Sequence, residues 1–319
     1  MKIYIANKMT GMPEYNFPWF DRARDYLVSL GHEPVSPADL DKEEGFDGHG
    51  EVTANMSMEA CLKRDFRALV NGMDAIAFGP DWNDSRGARA ERTVGQYIGL
   101  PFYRVDPDTD TFYKEMVIGL AGYARAGKDT VAHMITEYRF EQRSFAAPLK
   151  SALYNLNPRI DYRQDHSALT ETADRILGPT TVARWAYSTT YTSVQDLVDA
   201  YGWEGAKVSP EVRSLLQRLG TEAGRNVLGQ DVWVNALFNT PNNGRLVISD
   251  VRFPNEAAAI KARGGLLWRV LRPGAGPAND HMSEVALDDY EFDGIIHNYG
   301  DIADLQIAVK EIVDAAIHS

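Results

Sequence analysis

The sequence predicts an α/β protein built from two doubly wound parallel-sheet domains. Three observations carry this reading. Strand-length apolar runs alternate with amphipathic helical stretches from the N-terminus to about residue 105, the alternation starts afresh at "MVIGLAG" (116–122), and 319 residues with 44% hydrophobic content exceed the needs of one ordinary core.

"KIYIA" (2–6) reads as a strand. A helix follows in "NFPWFDRARDYLVSLG" (16–31), where Phe17, Phe20, Ala23, Tyr26, Leu27 and Leu30 recur at helical spacing and Gly31 ends the run. "HEPVSP" (32–37) returns as a short strand, and the acidic, glycine-rich stretch 39–50 reads as a mobile loop. "SMEACLKRDFRALVNG" (57–72) is an amphipathic helix with Met58, Leu62, Phe66 and Leu69 on one face. "MDAIAFGP" (73–80) is a buried strand, "SRGARAERTVGQYIG" (85–99) a helix and "LPFYRV" (100–105) a strand. Residues 106–114 are polar, contain Pro107 and read as a linker, so the expected domains are 1–105 and 115–319.

In the second unit "MVIGLAG" is a strand feeding a loop and helix, and "FEQRSFAAPLKSALYNL" (140–156) gives strand, turn and helix. Residues 158–208 read as an insertion with helical patches such as "SVQDLVDAYG" (193–202). "SPEVRSLLQRLGTEAGRNVLG" (209–229) reads as one helix, opened by Ser209 as cap and Pro210 in the first turn. "GRLVISDVRFPNEAAAIKARGG" (244–265) is strand, loop and helix, "LLWRVLRP" (266–273) a strand. A last helix, 301–317, carries Ile302, Leu305, Ala308, Val309 and Ile312 on one face.

The formal net charge is -12, with the acidic excess present in both units and no basic arm. That composition argues against a nucleic-acid polymer as partner and for small phosphorylated molecules held by local cations. A single cysteine, Cys61, expected as a small buried apolar residue, fits a reducing cytoplasm. No apolar run approaches membrane-spanning length.

Gly122, Gly127, Lys128 and Thr130 fit the phosphate-loop pattern G-x-x-x-x-G-K-[ST], between a strand and a helix as that pattern requires. With Ala124, Arg125, Ala126 and Asp129 they form a loop whose amides can wrap the phosphates of ATP. Lys128 would neutralise those phosphates and the Thr130 hydroxyl could ligate Mg2+. Asp250 ends the strand "LVISD", where such folds hold the metal directly or through water, and Arg252 could reach a phosphoryl group. The pair could equally form a surface turn. In the first unit Ser85 and Gly87 open a helix after a strand, a place that favours an anion. Glu91 lies one to two turns further in; it could face a ligand there or stand exposed to solvent. A carboxylate beside a bound sugar can attack the anomeric carbon and form a glycosyl ester.

"GYARAGKDT", "SFAAPLK", "VRSLLQRLGTEAGR", "DVWV", "ISDVRFPNEA", "HMSE" and "IIHNYGDIADL" together resemble the deoxynucleoside monophosphate kinases of tailed phages across 115–319. The resemblance implies transfer of the ATP γ-phosphoryl group to a deoxynucleoside 5'-monophosphate (dNMP). It makes Gln217, Arg218, Arg225, Asp250 and Arg252 candidates around the acceptor, while Asp129 orients the acceptor or caps its helix. His281, Ser283 and Glu284 read as turn or cap residues or as lid or pocket ones, and the insertion as the place where base specificity is decided.

"IYIANKMTG", "NFPWFDRARDYLVSLGHEPVSPADL", "RDFRALVNGMDAIAF" and "SRGARAERTVGQYIGLP" resemble the nucleoside 2-deoxyribosyltransferase superfamily, in its small phage and bacterial branch, with a flavodoxin/Rossmann-like fold. The S-x-G-x-x-x-E spacing of Ser85, Gly87 and Glu91 is similar to that of dNMP N-glycosidases. By that resemblance Ser85 holds the 5'-phosphate and Glu91 is the nucleophile. Asp65 positions or protonates the leaving base, Tyr4 lines the sugar site and Asp74 closes its strand structurally. Asn7 and Lys8 depart from the branch, which has Gly-Pro here; Asn7 stands with Tyr4, Ser85, Gly87 and Glu91 as a dNMP-binding candidate but could crowd a ligand, and Lys8 could add a phosphate contact. The resemblance also implies a homo-oligomer, and a phage protein in the host cytoplasm. The expected protein is thus bifunctional, cleaving or exchanging the N-glycosidic bond of a dNMP in one half and phosphorylating a dNMP in the other. Two alternatives stand beside it: a non-catalytic first domain that binds nucleotide or builds the oligomer, and a nucleotide-responsive regulator.

Overall fold

The computed structural model describes residues 1–49, 57–161, 191–276 and 286–318. The chain folds as two five-stranded α/β sheets. In the first, strands β1 (Lys2–Ala6), β2 (Glu33–Val35), β3 (Ala75–Phe78) and β4 (Phe102–Asp106) are parallel and lie in the order β2-β1-β3-β4. Helix α1 (Phe17–Ser29) covers one face, packing Phe17, Trp19, Phe20, Ala23 and Leu27 against Ile3, Ile5, Ala75 and Ala77. Helices α3 (Met58–Val70) and α4 (Arg86–Tyr97) cover the other, where Phe66, Leu69 and Ala88 meet Tyr4, Ala6, Ile76 and Phe78. The period-2 alternation of β1 thus feeds two opposite cores, which is why a run as apolar as "KIYIA" occurs there. Asp74 accepts a hydrogen bond from the Lys2 amide at 2.7 Å and ties the entry of β3 to β1, the structural role expected of it.

Two expectations need correction. The stretch read as a mobile loop carries helix α2 (Pro37–Glu43), started by Pro37. Its acids are matched by bases elsewhere, Asp39 with Arg24 (2.7 Å) and Asp41 with Arg64 (2.8 Å), so the local acidic excess does not prevent order. The segment read as a linker is part of the first sheet: strand β5 (Thr111–Lys114) pairs antiparallel with β4. Its Tyr113 stands beside Arg245 in a cation–π contact of 4.8 Å, a long-range partner that a nine-residue reading of 106–114 does not contain.

The second sheet is wholly parallel. Its strands are β6 (Met116–Ala121), β7 (Glu141–Arg143), β10 (Arg245–Ile248), β11 (Leu266–Leu271) and β12 (Gly294–His297), in the order β12-β11-β6-β10-β7. The first strand in sequence is central, so the connections lead to strands on both sides of β6 and a crevice forms at its carboxyl end. α5 (Lys128–Ile135) and α11 (Ile302–His318) bury one face of the sheet; α9 (Val232–Phe238) and α10 (Pro254–Lys261) bury the other.

Helix α6 (Ala146–Leu156) and the described part of the insertion form a satellite core through Leu153, Ile160, Val194 and Leu197. That part consists of an antiparallel pair, β8 (Arg159–Asp161) with β9 (Tyr191–Ser193), and α7 (Val194–Ala206). The helix expected over 209–229 is α8 (Pro210–Gln217), after which the chain widens into a π-helical stretch, Arg218–Leu228. Trp233 donates to the Gly220 carbonyl at 2.9 Å and crowds Gly224, diverting a carbonyl that an α-helical ladder would use. Glu115, between β5 and β6, pairs with Arg104 of β4 at 2.7 Å and with Arg92 of α4 at 2.6 Å. Among the described residues no helix is long and apolar enough to cross a membrane.

Candidate active sites

The phosphate loop leaves β6 at Gly122 and enters α5 at Lys128. Gly122 adopts φ +140°, and a Cβ there would lie 2.5 Å from the Val270 carbonyl oxygen; Gly127 adopts φ +98°, with a Cβ 2.5 Å from Asn298 Nδ2. Both positions are therefore closed to other residues. Asn298, just past β12, also donates to the Ala126 carbonyl at 2.9 Å and fixes the far side of the loop. Lys128 Nζ folds back to the carbonyls of Gly122 (2.7 Å) and Tyr123 (2.8 Å). Ala126 is buried, Ala124 half-buried, Arg125 takes φ +64°, and Asp129 and Thr130 lie exposed on the first turn of α5.

Opposite the loop, Asp250 accepts from the amides of Phe145 (2.7 Å) and Ala146 (3.0 Å). Both carboxylate oxygens therefore hold the start of α6, and burial pushes the carboxyl pKa up against the pull of those amides. This differs from a strand-end acid left free for a metal: direct ligation would compete with two helix-capping hydrogen bonds. Arg252 is exposed and its amide donates to Glu256 Oε2 at 2.8 Å. Arg225 reaches the other oxygen of Glu256 at 2.9 Å and stacks on Phe253 at 4.0 Å. The structure thus brings Arg225 to the Arg252 loop through a buried glutamate that sequence reasoning did not single out. It does the opposite for Gln217 and Arg218, which are exposed; Arg218 faces Glu222 at 3.8 Å. Two further features were missed. Lys150, on α6, has its pKa lowered by burial and by Lys207, and feels Asp250 and Asp129 from the loop side. Arg269 pairs with Asp288, which accepts from Tyr123 at 2.9 Å, and these three line a small cavity with Gly122 and Arg252. Neither carries a local sequence signal, because each assembles from separate strands. His281, Ser283 and Glu284 lie outside the described residues.

The first sheet carries a second site, a cavity of about 550 Å³ at the carboxyl ends of β1 and β3. Glu91, on α4, is buried and accepts from the Tyr4 hydroxyl at 2.9 Å. Its burial, with the charge of Asp65 second, raises its pKa to about 8. Asp65 is also buried; desolvation raises it to about 6, with Arg64 pulling the other way through contacts of 3.0 and 3.1 Å. Burial and the Glu91 and Asp65 charges lift Tyr4 well above its usual range. Arg64 is itself held by Asp41 at 2.8 Å and Glu44 at 3.4 Å, so the helix missed in the sequence supplies its counter-charge. Ser85 caps α4, accepting from Ala88 N at 3.2 Å, and a Cβ at Gly87 would meet nothing nearer than Ser85 Oγ at 3.7 Å. The first turn of α4 is therefore open to an anion. Tyr15 and Phe46, edge to face at 5.2 Å, with Met9 and Leu62, give the cavity an apolar wall. Cys61 is half-buried in the cavity lining, and Lys8 is half-buried there too. Spacing alone left Glu91 as an exposed glutamate or a ligand-facing one; it is buried and faces the cavity.

A parallel sheet with a central first strand, opening into a glycine-clamped phosphate loop and an arginine-bearing loop across from it, defines a nucleotide kinase-type enzyme. The family described as deoxynucleotide monophosphate kinase matches residues 186–309, and a domain of unknown function (DUF4406) matches residues 1–103. A protein of Acanthamoeba polyphaga mimivirus, provisionally described as a deoxynucleotide monophosphate kinase, is 30% identical over 217 residues, covering 63% of this chain and 97% of its own length. The chain belongs to the deoxynucleotide monophosphate kinase family. Among solved structures, a dephospho-CoA kinase from Campylobacter jejuni aligns over 64% of this chain and 98% of its own at 11% identity and TM-score 0.32. TT1252 from Thermus thermophilus aligns over 63% and 97% at 15% identity and TM-score 0.27.

Proposed function

We propose that the second domain, 115–319, transfers the ATP γ-phosphoryl group to a dNMP, giving the diphosphate. The observation that carries this is the facing arrangement of the phosphate loop and the Arg252–Glu256–Arg225 group on one family framework. Lys128 exchanges its two loop carbonyls for the phosphates of ATP. The acceptor phosphate is drawn to Arg252 and Arg225, and one of its oxygens attacks the γ-phosphorus as the bond to the β-phosphate oxygen breaks. Lys150, half-buried on α6 and feeling Asp250 and Asp129, adds positive potential on the acceptor side. The residues present fit a Mg2+ ion held by the exposed Thr130 hydroxyl, with Asp250 through water because its oxygens are engaged; when bound it would neutralise charge on the transferring group.

The first domain is a second catalytic centre acting on the N-glycosidic bond of a dNMP. Support comes from the Tyr4–Glu91 hydrogen bond and Asp65 in one cavity whose mouth is the start of α4. Ser85 and the open turn at Gly87 take the 5'-phosphate, and the apolar wall takes the base. Glu91 bonds to the anomeric carbon while the bond to the base nitrogen breaks and Asp65 gives that nitrogen its proton. Water, losing a proton to Asp65, then releases 2-deoxyribose 5-phosphate and frees Glu91; a second base in place of water would give exchange. Only the singly protonated carboxyl pair can do this, with its proton on Asp65 in the reactive complex. Chromatography of dNMP incubated with Lys128→Ala protein separates the readings. Free base lost on Glu91→Gln supports the catalytic centre, whereas no base from any dNMP leaves the domain a binding module.

A further inference from the structure

We infer that Asn7 is a ligand-reading residue of the first cavity, its Nδ2 donating a hydrogen bond to an oxygen of the nucleoside part of the bound dNMP. This rests on the dNMP reading of that cavity.

In an open sheet of order β2-β1-β3-β4 the ligand crevice falls where connections diverge, between the carboxyl ends of β1 and β3. Asn7 is the residue directly after β1 and Gly79 the residue directly after β3. Asn7 is only 5% exposed, yet it lines the cavity. Its Oδ1 accepts from the Asp81 amide at 3.1 Å, which clamps the two post-strand loops together and fixes which end of the amide is which. The remaining end, Nδ2, has no hydrogen-bond partner among the described residues. A buried donor without an acceptor is unfavourable, and a ligand oxygen removes that cost.

Gly79 is the other half of the device. A Cβ there would lie 2.5 Å from both Cγ and Nδ2 of Asn7 and 2.5 Å from Trp19 Cη2, so the amide occupies the space over a residue that can only be glycine. The side chain expected to crowd a ligand is instead seated over Gly79, presenting a neutral donor. Neutrality matters here: Asp41, Asp65, Asp84 and Glu91 already line the cavity, and a fifth acid would repel an anionic ligand. The start of α4 serves the phosphate from across the sheet crest, which leaves a sugar hydroxyl or a base carbonyl as the acceptor for Nδ2.

The test uses the full chain with Asn7→Asp and Asn7→Ala. Asn7→Asp keeps an oxygen for the Asp81 amide while removing the donor, so the clamp survives; hydrogen exchange of the β1 and β3 peptides matching wild type in both variants reports an intact first domain. Calorimetry reads binding of 2-deoxyribose 5-phosphate, and KM for base release reads the dNMP. The expected result is a loss of about tenfold for Asn7→Ala and more for Asn7→Asp. A loss in both measurements places the oxygen on the sugar; a loss in KM alone places it on the base. Wild-type values in both variants overturn the role of Asn7, and leave the cavity reading standing if Glu91→Gln still stops base release. A wild-type protein that neither binds the sugar phosphate nor releases base overturns the cavity reading and this inference with it.

Discussion

Glu91→Gln should stabilise the first domain in alkali and leave it nearly unchanged in acid. The Glu91 carboxyl sits fully inside the protein, where burial and then the nearby Asp65 charge carry its pKa from 4.5 to about 8 while the Tyr4 hydroxyl pulls it down. A carboxyl whose pKa is raised by folding contributes its stability below the unfolded value, and that stability is lost as pH rises from 4.5 to about 8. At about 1.4 kcal/mol for each tenfold change in proton affinity, the loss approaches about 5 kcal/mol above pH ~8. Glutamine keeps the shape and an acceptor for Tyr4 but has no proton to lose. Urea unfolding at pH 5 and pH 9, followed by hydrogen exchange in peptides from β1 and β3, should show wild type losing several kcal/mol between the two and the variant losing much less. Parallel pH dependence in the two proteins would refute the buried, titrating Glu91.

The pH dependence of base release should be bell-shaped, with limbs near 6 and 8, because only the singly protonated Asp65–Glu91 pair holds both an acid and a nucleophile. A profile flat from pH 5 to 9 would contradict it. Lys128→Ala should lower phosphoryl transfer about 100- to 1000-fold and leave base release unchanged, measured on the same preparations. Arg225→Ala strands the buried Glu256 carboxylate, so it should lower the unfolding free energy by about 3 kcal/mol and raise KM for the dNMP more than it lowers kcat, read from melts and initial rates.

What could be read in the sequence was what is local. The phosphate loop is legible because two positive-φ glycines, a lysine and a hydroxyl fall within nine residues. β1, β3, β6 and β10 are buried strands bounded by turns. The parts that escaped depend on partners outside their own stretch of sequence. β12 has only four residues and β5 was hidden in a polar stretch; each is ordered by a neighbour, β11 or β4, rather than by its own pattern. α2 looked like an acidic loop because the arginines that balance it, Arg24 and Arg64, lie on other helices. In the sites, Glu91 was marked by its distance from Ser85, but its burial against Tyr4 spans 87 positions. Glu256, Lys150 and the Arg269–Asp288–Tyr123 group have no spacing to betray them. Asp250 was found for the right position, but the amides that engage it come from a helix start over 100 residues earlier.

The most direct test of the account is one incubation of the wild-type chain with ATP, Mg2+ and each dNMP in turn, with all products resolved by mass. The account predicts that at least one dNMP yields its diphosphate with stoichiometric ADP, together with free base and 2-deoxyribose 5-phosphate from a dNMP, the first set lost with Lys128→Ala and the second with Glu91→Gln. ADP formed without any deoxynucleoside diphosphate, whichever dNMP is supplied, would contradict it.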